Sequence, residues 1–175
     1  LSKRAHELYR RWHDQLMRFE SPRVKESHPD TTDARVIILG MGNIGTGAYD
    51  SIAEHYGKQV VGVDENDRKL ARHRVEHRRV VDADASDPDF WHRVNLEQVE
   101  LIMLALTNHE ENLLVSQLLH ELGYRGQLSA VVRFAEEAEE LEARGISTFN
   151  LYAQAGAGFA AHAAEQLQQP APVTG

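Results

Sequence analysis

Three glycines in the segment GMGNIG, at positions 40, 42 and 45, have the spacing of a phosphate-binding turn. The segment follows the apolar run 35–39 and precedes residues that suit a helix, which is the context such a turn requires. In that context Gly40 permits a sharp turn, Gly42 lets a phosphate approach the backbone, and Gly45 lets the helix pack closely on the strand. Free N–H groups at the positive end of the helix dipole would bind the phosphate. A tight turn that only needs small residues is the alternative.

An acidic residue follows at the distance of a ribose-binding carboxylate. Asp64 ends the second apolar run, 24 residues after Gly40. A carboxylate there can accept hydrogen bonds from both ribose hydroxyls and repels a 2′-phosphate, which favours AMP or NAD over NADP. Arg68 and Lys69 follow one turn later and could soften this preference, although a solvated helix face is the more usual role of such residues. The alternative for Asp64 is a cap on the next helix.

The elements that must position these residues follow from six apolar runs, which alternate with segments that suit helices. The predicted strands are 35–39, 59–63, 79–83, 99–106, 127–132 and 146–150. Near-continuous Val, Ile and Leu indicate strands that are buried on both faces, as in a parallel sheet with helical crossovers. We therefore predict an α/β fold: a Rossmann-like, doubly wound parallel sheet of about six strands.

The beginning of the chain differs from the rest in charge and pattern. Residues 1–27 carry seven Lys and Arg against four Asp and Glu, whereas the formal net charge of the whole chain is −8. Apolar residues at helical spacing predict an amphipathic helix there, which packs on its own domain or on a second copy, or lies near anionic lipid. These residues are Leu1, Ala5, Leu8, Trp12, Leu16 and Phe19. We expect this helix and a linker at 1–33, a nucleotide-binding domain at 34–151, and a C-terminal helix with a disordered tail at 152–175.

Composition narrows the possible functions. The chain has no cysteine, which excludes disulfides and thiolate metal sites. The negative net charge argues against a nucleic-acid binder. No apolar run is long enough to span a membrane and no export leader is recognisable, so we expect a soluble chain. His73 and His77 share a four-residue spacing, but no third ligand pattern follows, and we expect no metal site.

A series of motifs resembles one family. GMGNIG, VGVDEND (61–67), DADASD (82–87), ALTNHEEN (105–112) and VVRFAEEAEELEARGI (131–146) together resemble the TrkA-N, or regulator of potassium conductance (RCK), family. The tail NLYAQAGAGFAAHAAEQL is similar to the carboxyl end of Kef-type cation:proton antiporters. The resemblance covers about residues 34–167, and the set of motifs is far more specific than the glycines alone.

The resemblance implies a role for particular residues. The glycine turn, with Asn43 and Ile44, would hold phosphate, and Asp64 with the adjacent Glu65 would hold ribose. The DADASD segment would contact adenine, although Ala83 stands where the family has glycine. The residues that complete the set are Asp84, Ala85 and Ser86 on the adenine side, and Thr107 and Asn108 on the phosphate side. Asn108, with Glu111 three residues later, is equally typical of a helix cap.

The function that the resemblance implies is regulation. We expect a domain at the cytoplasmic face of the membrane that binds AMP or NAD(H), pairs as a homodimer, and gates a cation:proton antiporter or a potassium channel or transporter part. We expect no enzyme activity, because no substrate-binding element or Tyr-x-x-x-Lys pair accompanies the cleft. The alternatives are a soluble Trk-type potassium-uptake subunit and a small NAD-dependent oxidoreductase.

Overall fold

The computed structural model describes residues 30–168, in which strands and helices alternate. The strands are β1 (Val36–Leu39), β2 (Val60–Asp64), β3 (Val80–Asp82), β4 (Leu101–Leu104), β5 (Gln127–Val132) and β6 (Ser147–Asn150). The helices are α1 (Asn43–Tyr56), α2 (Asp67–Val75), α3 (Pro88–Trp91), α4 (His109–Glu121), α5 (Ala135–Glu142) and α6 (Leu151–Gln168), and a 3-10 turn (Gly57–Gln59) follows α1. The amphipathic helix and most of the linker expected at 1–33 lie outside the described residues.

The six strands form one parallel sheet in the order β3-β2-β1-β4-β5-β6. Val36 in β1 lies opposite Val60 in β2 and Leu101 in β4. The chain therefore builds the sheet outward in one direction from β1 to β3, then returns beside β1 and builds it in the other direction. Right-handed crossovers place the helices of the two halves on opposite faces, so a crevice opens where β1 and β4 end. The predicted doubly wound fold is confirmed.

Both faces of the sheet are covered, as the continuous apolar strands predict. Ile37 and Leu39 face a layer that contains Trp91 of α3, Val115 of α4 and Leu141 of α5. On the opposite face, Val36, Ile38 and Val60 pack with Tyr49 of α1. Alternate residues of β1 thus anchor helices from both halves, which holds its carboxyl end in place.

Helix α6 leaves the sheet instead of covering it. It follows β6 directly, and every residue from 152 to 167 is exposed, including Tyr152, Phe159 and Leu167. Within residues 30–168, no helix combines the length and the apolar character needed to cross a bilayer. Most of the stability of helices in proteins comes from packing of an apolar face, and this 18-residue helix buries almost none of its surface against the described part of the chain.

Candidate functional site

The crevice at the carboxyl ends of the strands contains two adjoining cavities. The larger, of about 430 Å³, lies over β2 and β3, and the smaller, of about 200 Å³, lies toward β5. Gly42 and Thr107 line both cavities, as do Ala105 and Leu106. The glycine turn therefore stands at the junction between the two cavities, which is where ligands of open parallel sheets bind.

The glycine turn has a shape that only glycine permits at two positions. Gly40 has φ +88°, which L residues rarely adopt, and its N–H donates to the Val63 carbonyl at 2.8 Å. A Cβ on Gly40 would lie 2.7 Å from the Ala105 carbonyl oxygen, and one on Gly45 would lie 1.9 Å from the Gly40 carbonyl oxygen. These two glycines fold the turn tightly against β4 and against the first turn of α1.

Gly42 is a glycine for a different reason. Its φ of −77° suits any residue, and a Cβ there would meet nothing within 4 Å. It is the N-cap of α1, no side chain caps that terminus, and the first turn of the helix holds no acid. The first N–H groups of an α-helix lack partners within the helix. An uncapped helix N-terminus that opens onto a cavity is suited to bind an anionic group.

Asp64 supports the turn from the end of β2. Its Oδ2 accepts the Met41 N–H at 2.8 Å and its Oδ1 accepts the Asn66 N–H at 2.9 Å. Asp64 does not cap α2, because Asn66 is the N-cap and accepts the Lys69 N–H with its own side chain. Oδ2 also accepts a hydrogen bond from Lys69 Nζ at 3.3 Å, so Oδ1 retains an acceptor site for one ligand hydroxyl, and a second hydroxyl would take the place of Lys69 at Oδ2.

The far end of the larger cavity is acidic. Four acids line it, namely Asp64, Glu65, Asp84 and Glu111, and Lys69 is the one base among its lining residues. The Lys69 Nζ lies 3.3 Å from Asp64 Oδ2. Partial desolvation raises the pKa of the Glu65 carboxyl above its ordinary value, and the charges of Asp84, Glu111 and Asp64 add to that rise. Such a surface attracts hydroxyl and amino donors and repels phosphate.

Replacement of Glu65 by glutamine tests this crowding of charge. A raised pKa in the folded protein means that ionisation of Glu65 opposes folding, so stability is lost as the pH rises from the unfolded pKa through the folded one. We expect Glu65→Gln to raise the melting temperature at pH 7.5, with a gain that shrinks as the pH falls toward 4.5. Glu54→Gln, an exposed acid of α1, is the control. A gain that is equal at all pH values would contradict the assignment.

The DADASD segment forms a compact turn at the end of β3. Asp84 Oδ1 accepts the Ser86 N–H and hydroxyl, both at 2.7 Å. The buried Trp91 donates its indole N–H to the Ala85 carbonyl at 2.7 Å, which ties the turn to α3. Sequence reasoning missed the role of Trp91, although an aromatic residue six positions after the turn was a visible signal.

The phosphate side contains one wall residue and one cap. Thr107 lines both cavities. Asn108 is the N-cap of α4 and accepts the Glu110 N–H at 2.9 Å, as the cap alternative predicts. In the smaller cavity, His109 pairs with Glu140 at 3.0 Å through Nε2. Within residues 30–168, its buried Nδ1 and the buried Asn112 Oδ1 have no hydrogen-bond partner.

The structure brings most of the expected site residues to the crevice. Those that line the larger cavity are Gly40, Gly42, Asp64, Glu65, Asp84, Ala85, Ser86 and Thr107, and those that line the smaller one include Asn43 and Ile44. Gly45 and Asn108 line neither cavity and instead shape the turn and begin α4. No group of three or more His, Asp or Glu in the described part of the chain could hold a metal ion.

A doubly wound parallel sheet with a glycine turn after its first strand and an acid at the end of its second is a nucleotide-binding domain of the Rossmann class. Residues 36–150 match the model of the TrkA-N domain, so the chain belongs to the TrkA-N family. The resemblance to TrkA-N/RCK domains is confirmed. No curated protein shows significant sequence similarity to the chain.

Solved structures share the fold at low sequence identity. The NAD(P)-binding domain of an exopolyphosphatase-related protein from Archaeoglobus fulgidus is 22% identical, with TM-score 0.67 over 75% of this chain and 98% of that one. The Kef CTD of Shewanella denitrificans in AMP-bound form is 17% identical, with TM-score 0.64 over 77% and 82%. The GsuK channel bound to NAD is 20% identical, with TM-score 0.61 over 80% of this chain and 25% of the channel chain.

Proposed function

We propose that this domain senses an adenine nucleotide, AMP or NAD(H), and that its occupancy gates a membrane-embedded potassium or cation efflux or cation:proton antiport system. The observation that supports the proposal most directly is the uncapped, open N-terminus of α1 at Gly42. The helix terminus there has no side-chain cap and no acid in its first turn, and a Cβ on Gly42 would meet nothing within 4 Å. A phosphate group satisfies such a position.

The charge distribution in the cleft favours one orientation of the bound ligand. Phosphate is favoured at Gly42, whereas the acidic end around Asp64 and Asp84 favours the ribose hydroxyls and the adenine amino group. A 2′-phosphate would lie among carboxylates, so the same distribution favours AMP or NAD(H) over NADP(H). The volume of about 430 Å³ is within the usual range for small-ligand cavities.

The second cavity supports a ligand longer than a mononucleotide. AMP would fill only the larger cavity. A dinucleotide with its phosphates at Gly42 would place its second nucleoside in the smaller cavity, whose wall includes Leu151 at the start of α6. We therefore propose both AMP and NAD(H) as ligands of the crevice, and the two would differ in the cavity walls that they contact.

Two structural relatives support the link to transport. The GsuK protein is a channel that binds NAD, and the Kef domain was solved with AMP. We propose that the membrane part belongs to the same chain or to a separate subunit, which places the domain in the cytoplasm at the inner face of the membrane.

We propose that the domain works as a homodimer in which α6 supplies the contact. Between residues 151 and 168 the helix holds no Lys or Arg and a single acid, Glu165, so two copies can meet without repulsion between like charges. Tyr152, Gly156, Phe159 and Ala163 recur at helical spacing and share one face. Small residues on that face let two helices approach closely, and the exposed rings then become buried.

A charge on this face should separate the copies. We expect Phe159→Glu to reduce the dimer to a species near the 19.7 kDa of one chain, measured by sedimentation at tens of micromolar protein. Gln154→Glu adds the same charge on the opposite face of α6 and should leave the dimer intact. Dissociation in both variants, or in neither, would argue against this interface.

Gly42→Ala tests the phosphate position directly. Calorimetry of the wild type should give a Kd for AMP and NADH on the order of micromolar, about −8 kcal/mol. Because the added methyl meets no protein atom, the variant should lose about 1 kcal/mol of stability or less. Affinity for AMP should nevertheless fall at least about tenfold, since the methyl occupies the approach of the phosphate. Full AMP affinity in the variant would remove the central support of the proposal.

We propose binding without turnover. The same protein should show no steady oxidation of NADH with common carbonyl substrates in a spectrophotometric assay. Sustained turnover that disappears in Gly42→Ala would favour the oxidoreductase alternative instead.

A further inference from the structure

The residue between the first two glycines of the turn is held on three sides. Met41 is buried, with its side chain against Gly62 of β2, where a Cβ would lie 2.4 Å from the Met41 sulfur. Its N–H donates to Asp64. Its carbonyl oxygen lies 3.0 Å from Nε2 of His73 in α2, and it also accepts a longer hydrogen bond, at 3.4 Å, from the Thr46 hydroxyl of α1.

The partners of His73 determine its tautomer. A carbonyl oxygen only accepts, so Nε2 carries the proton that it shares with Met41. Arg78 Nη1 lies 3.2 Å from the other ring nitrogen, Nδ1, and a guanidinium only donates, so Nδ1 is an acceptor. The ring is buried, and the tautomer with its proton on Nε2 satisfies both of these partners.

Arg78 is itself fixed. Its Nε and Nη2 donate to the two carboxylate oxygens of Asp50 in α1, at 2.6 and 2.8 Å. Its Nη1 also donates to Glu76, and its backbone N–H bonds the carbonyl of His73 at 2.9 Å. A bidentate pair of this geometry restrains the guanidinium in both position and orientation. The side chain that selects the tautomer of His73 is thus anchored on the same helix whose N-terminus begins at the turn.

We propose that His73 is a positioning residue for phosphate binding. The Met41 carbonyl and the Gly42 N–H belong to one planar trans peptide group, so they point in opposite directions. By holding the carbonyl toward α2, His73 directs the Gly42 N–H away from the protein interior, and Gly42 lines both cavities. The inference rests on the proposed nucleotide function, and it assigns the orientation of the Gly42 N–H to His73, which lies 32 positions after Met41 in the sequence.

Removal of the ring donor should affect phosphate recognition rather than nucleoside recognition. We expect His73→Leu to weaken AMP binding about tenfold, as for one lost charge-assisted hydrogen bond, and adenosine binding less than about twofold. His73→Gln retains an N–H donor and should restore AMP affinity to within about threefold of the wild type. The measured quantity is the ratio of the adenosine and AMP dissociation constants at pH 7.5.

Tyr49→Phe is the matched control. Tyr49 is buried on the same face and its hydroxyl accepts the Arg79 N–H at 2.8 Å, so the variant also loses one buried hydrogen bond, but not one to the turn. It should lower the melting temperature and leave the adenosine to AMP ratio unchanged. A purely structural role for His73 would make His73→Leu behave in the same way as this control.

Nuclear magnetic resonance of the ligand-free wild type supplies a test that needs neither nucleotide nor a folded variant. The two ring nitrogens of His73 should show a protonated Nε2 and an unprotonated Nδ1 at pH 7.5. A protonated Nδ1, or equal weakening of AMP and adenosine in a folded His73→Leu, would overturn the inference. If the wild type binds no AMP, the proposed function fails by itself. The inference is then judged by whether the Gly42 amide resonance shifts in His73→Gln and His73→Leu but not in Tyr49→Phe, and an unshifted resonance overturns it.

Discussion

Replacement of Gly45 by alanine is expected to destroy the nucleotide site and to destabilise the domain by about 3 kcal/mol. The new methyl would lie 1.9 Å from the Gly40 carbonyl oxygen, a backbone atom that cannot move without opening the turn. Because Gly40 is itself bonded to Val63 and packed on Ala105, the strain would spread along the carboxyl ends of β2 and β4. Denaturant unfolding gives the stability change, and AMP titration should show a loss of more than about a hundredfold, at least 2.7 kcal/mol.

The same helix offers a control two residues later. Gly47 is exposed, and a Cβ there would meet nothing within 4 Å. Gly47→Ala should raise stability by about 0.5 to 1 kcal/mol, because alanine has the higher helix propensity, and should leave AMP affinity unchanged. Equal behaviour of the two variants would show that close packing of α1 on the turn does not decide the site.

Replacement of Asp64 by alanine should cause the second large loss. Two backbone hydrogen bonds disappear, those from Met41 and Asn66, together with the acceptors that we propose for ribose. We expect NAD affinity to fall about a hundredfold and stability to fall by about 2 kcal/mol. Asp64→Asn should lie between, because one amide oxygen still accepts while the amide nitrogen opposes an N–H group. Both variants should narrow the difference between NAD and NADP affinity, since the repulsion of a 2′-phosphate is gone.

Asn66→Ala separates the ribose contact from helix stability. This variant removes the N-cap of α2 and should cost about 1 kcal/mol of stability. Its NAD affinity should stay within about twofold of the wild type, because Asn66 contributes no side chain to either cavity wall. Titrations of NAD and NADP into the three variants, each with a melting curve, give the comparison. A stably folded Asp64→Ala protein that binds NAD as tightly as the wild type would disprove the ribose contact.

Much of the fold was predictable because its strands are buried on both faces and therefore consist of apolar runs. The ends of the strands were less predictable, because some apolar residues are buried without belonging to a strand of the sheet. The run 99–106 predicted a long fourth strand, but β4 covers only Leu101–Leu104. Val99 is buried before the strand begins, whereas Ala105 and Leu106 turn away to form the wall of the cleft. An apolar residue indicates burial, but its type does not indicate which neighbouring element buries it.

Features of the site were predictable from the sequence only where they depend on one residue or on one short segment. The glycine spacing indicates the turn, and Asn108 before a helix indicates a cap. The two tethers from Asp64 depend on how Met41 is oriented, and the bond from His73 to Met41 joins residues 32 positions apart. No periodicity marks such contacts, because they arise only after α2 packs beside the turn. The four-residue spacing of His73 and His77 was the only sequence feature that singled out His73, and it gives no sign of the bond to Met41.

The direct junction of β6 and α6 bears on what the ligand controls. Because no loop separates Asn150 from Leu151, a tilt of the edge strand β6 would tilt α6 by a similar angle. An 18-residue helix is about 27 Å long, so a rotation of about 5° at its base moves its tip by about 2.4 Å. Leu151 borders the smaller cavity and not the larger one. Under the proposed function, AMP in the larger cavity would not contact Leu151, whereas the second nucleoside of a dinucleotide would. The two ligands would then differ in their effect on the orientation of α6.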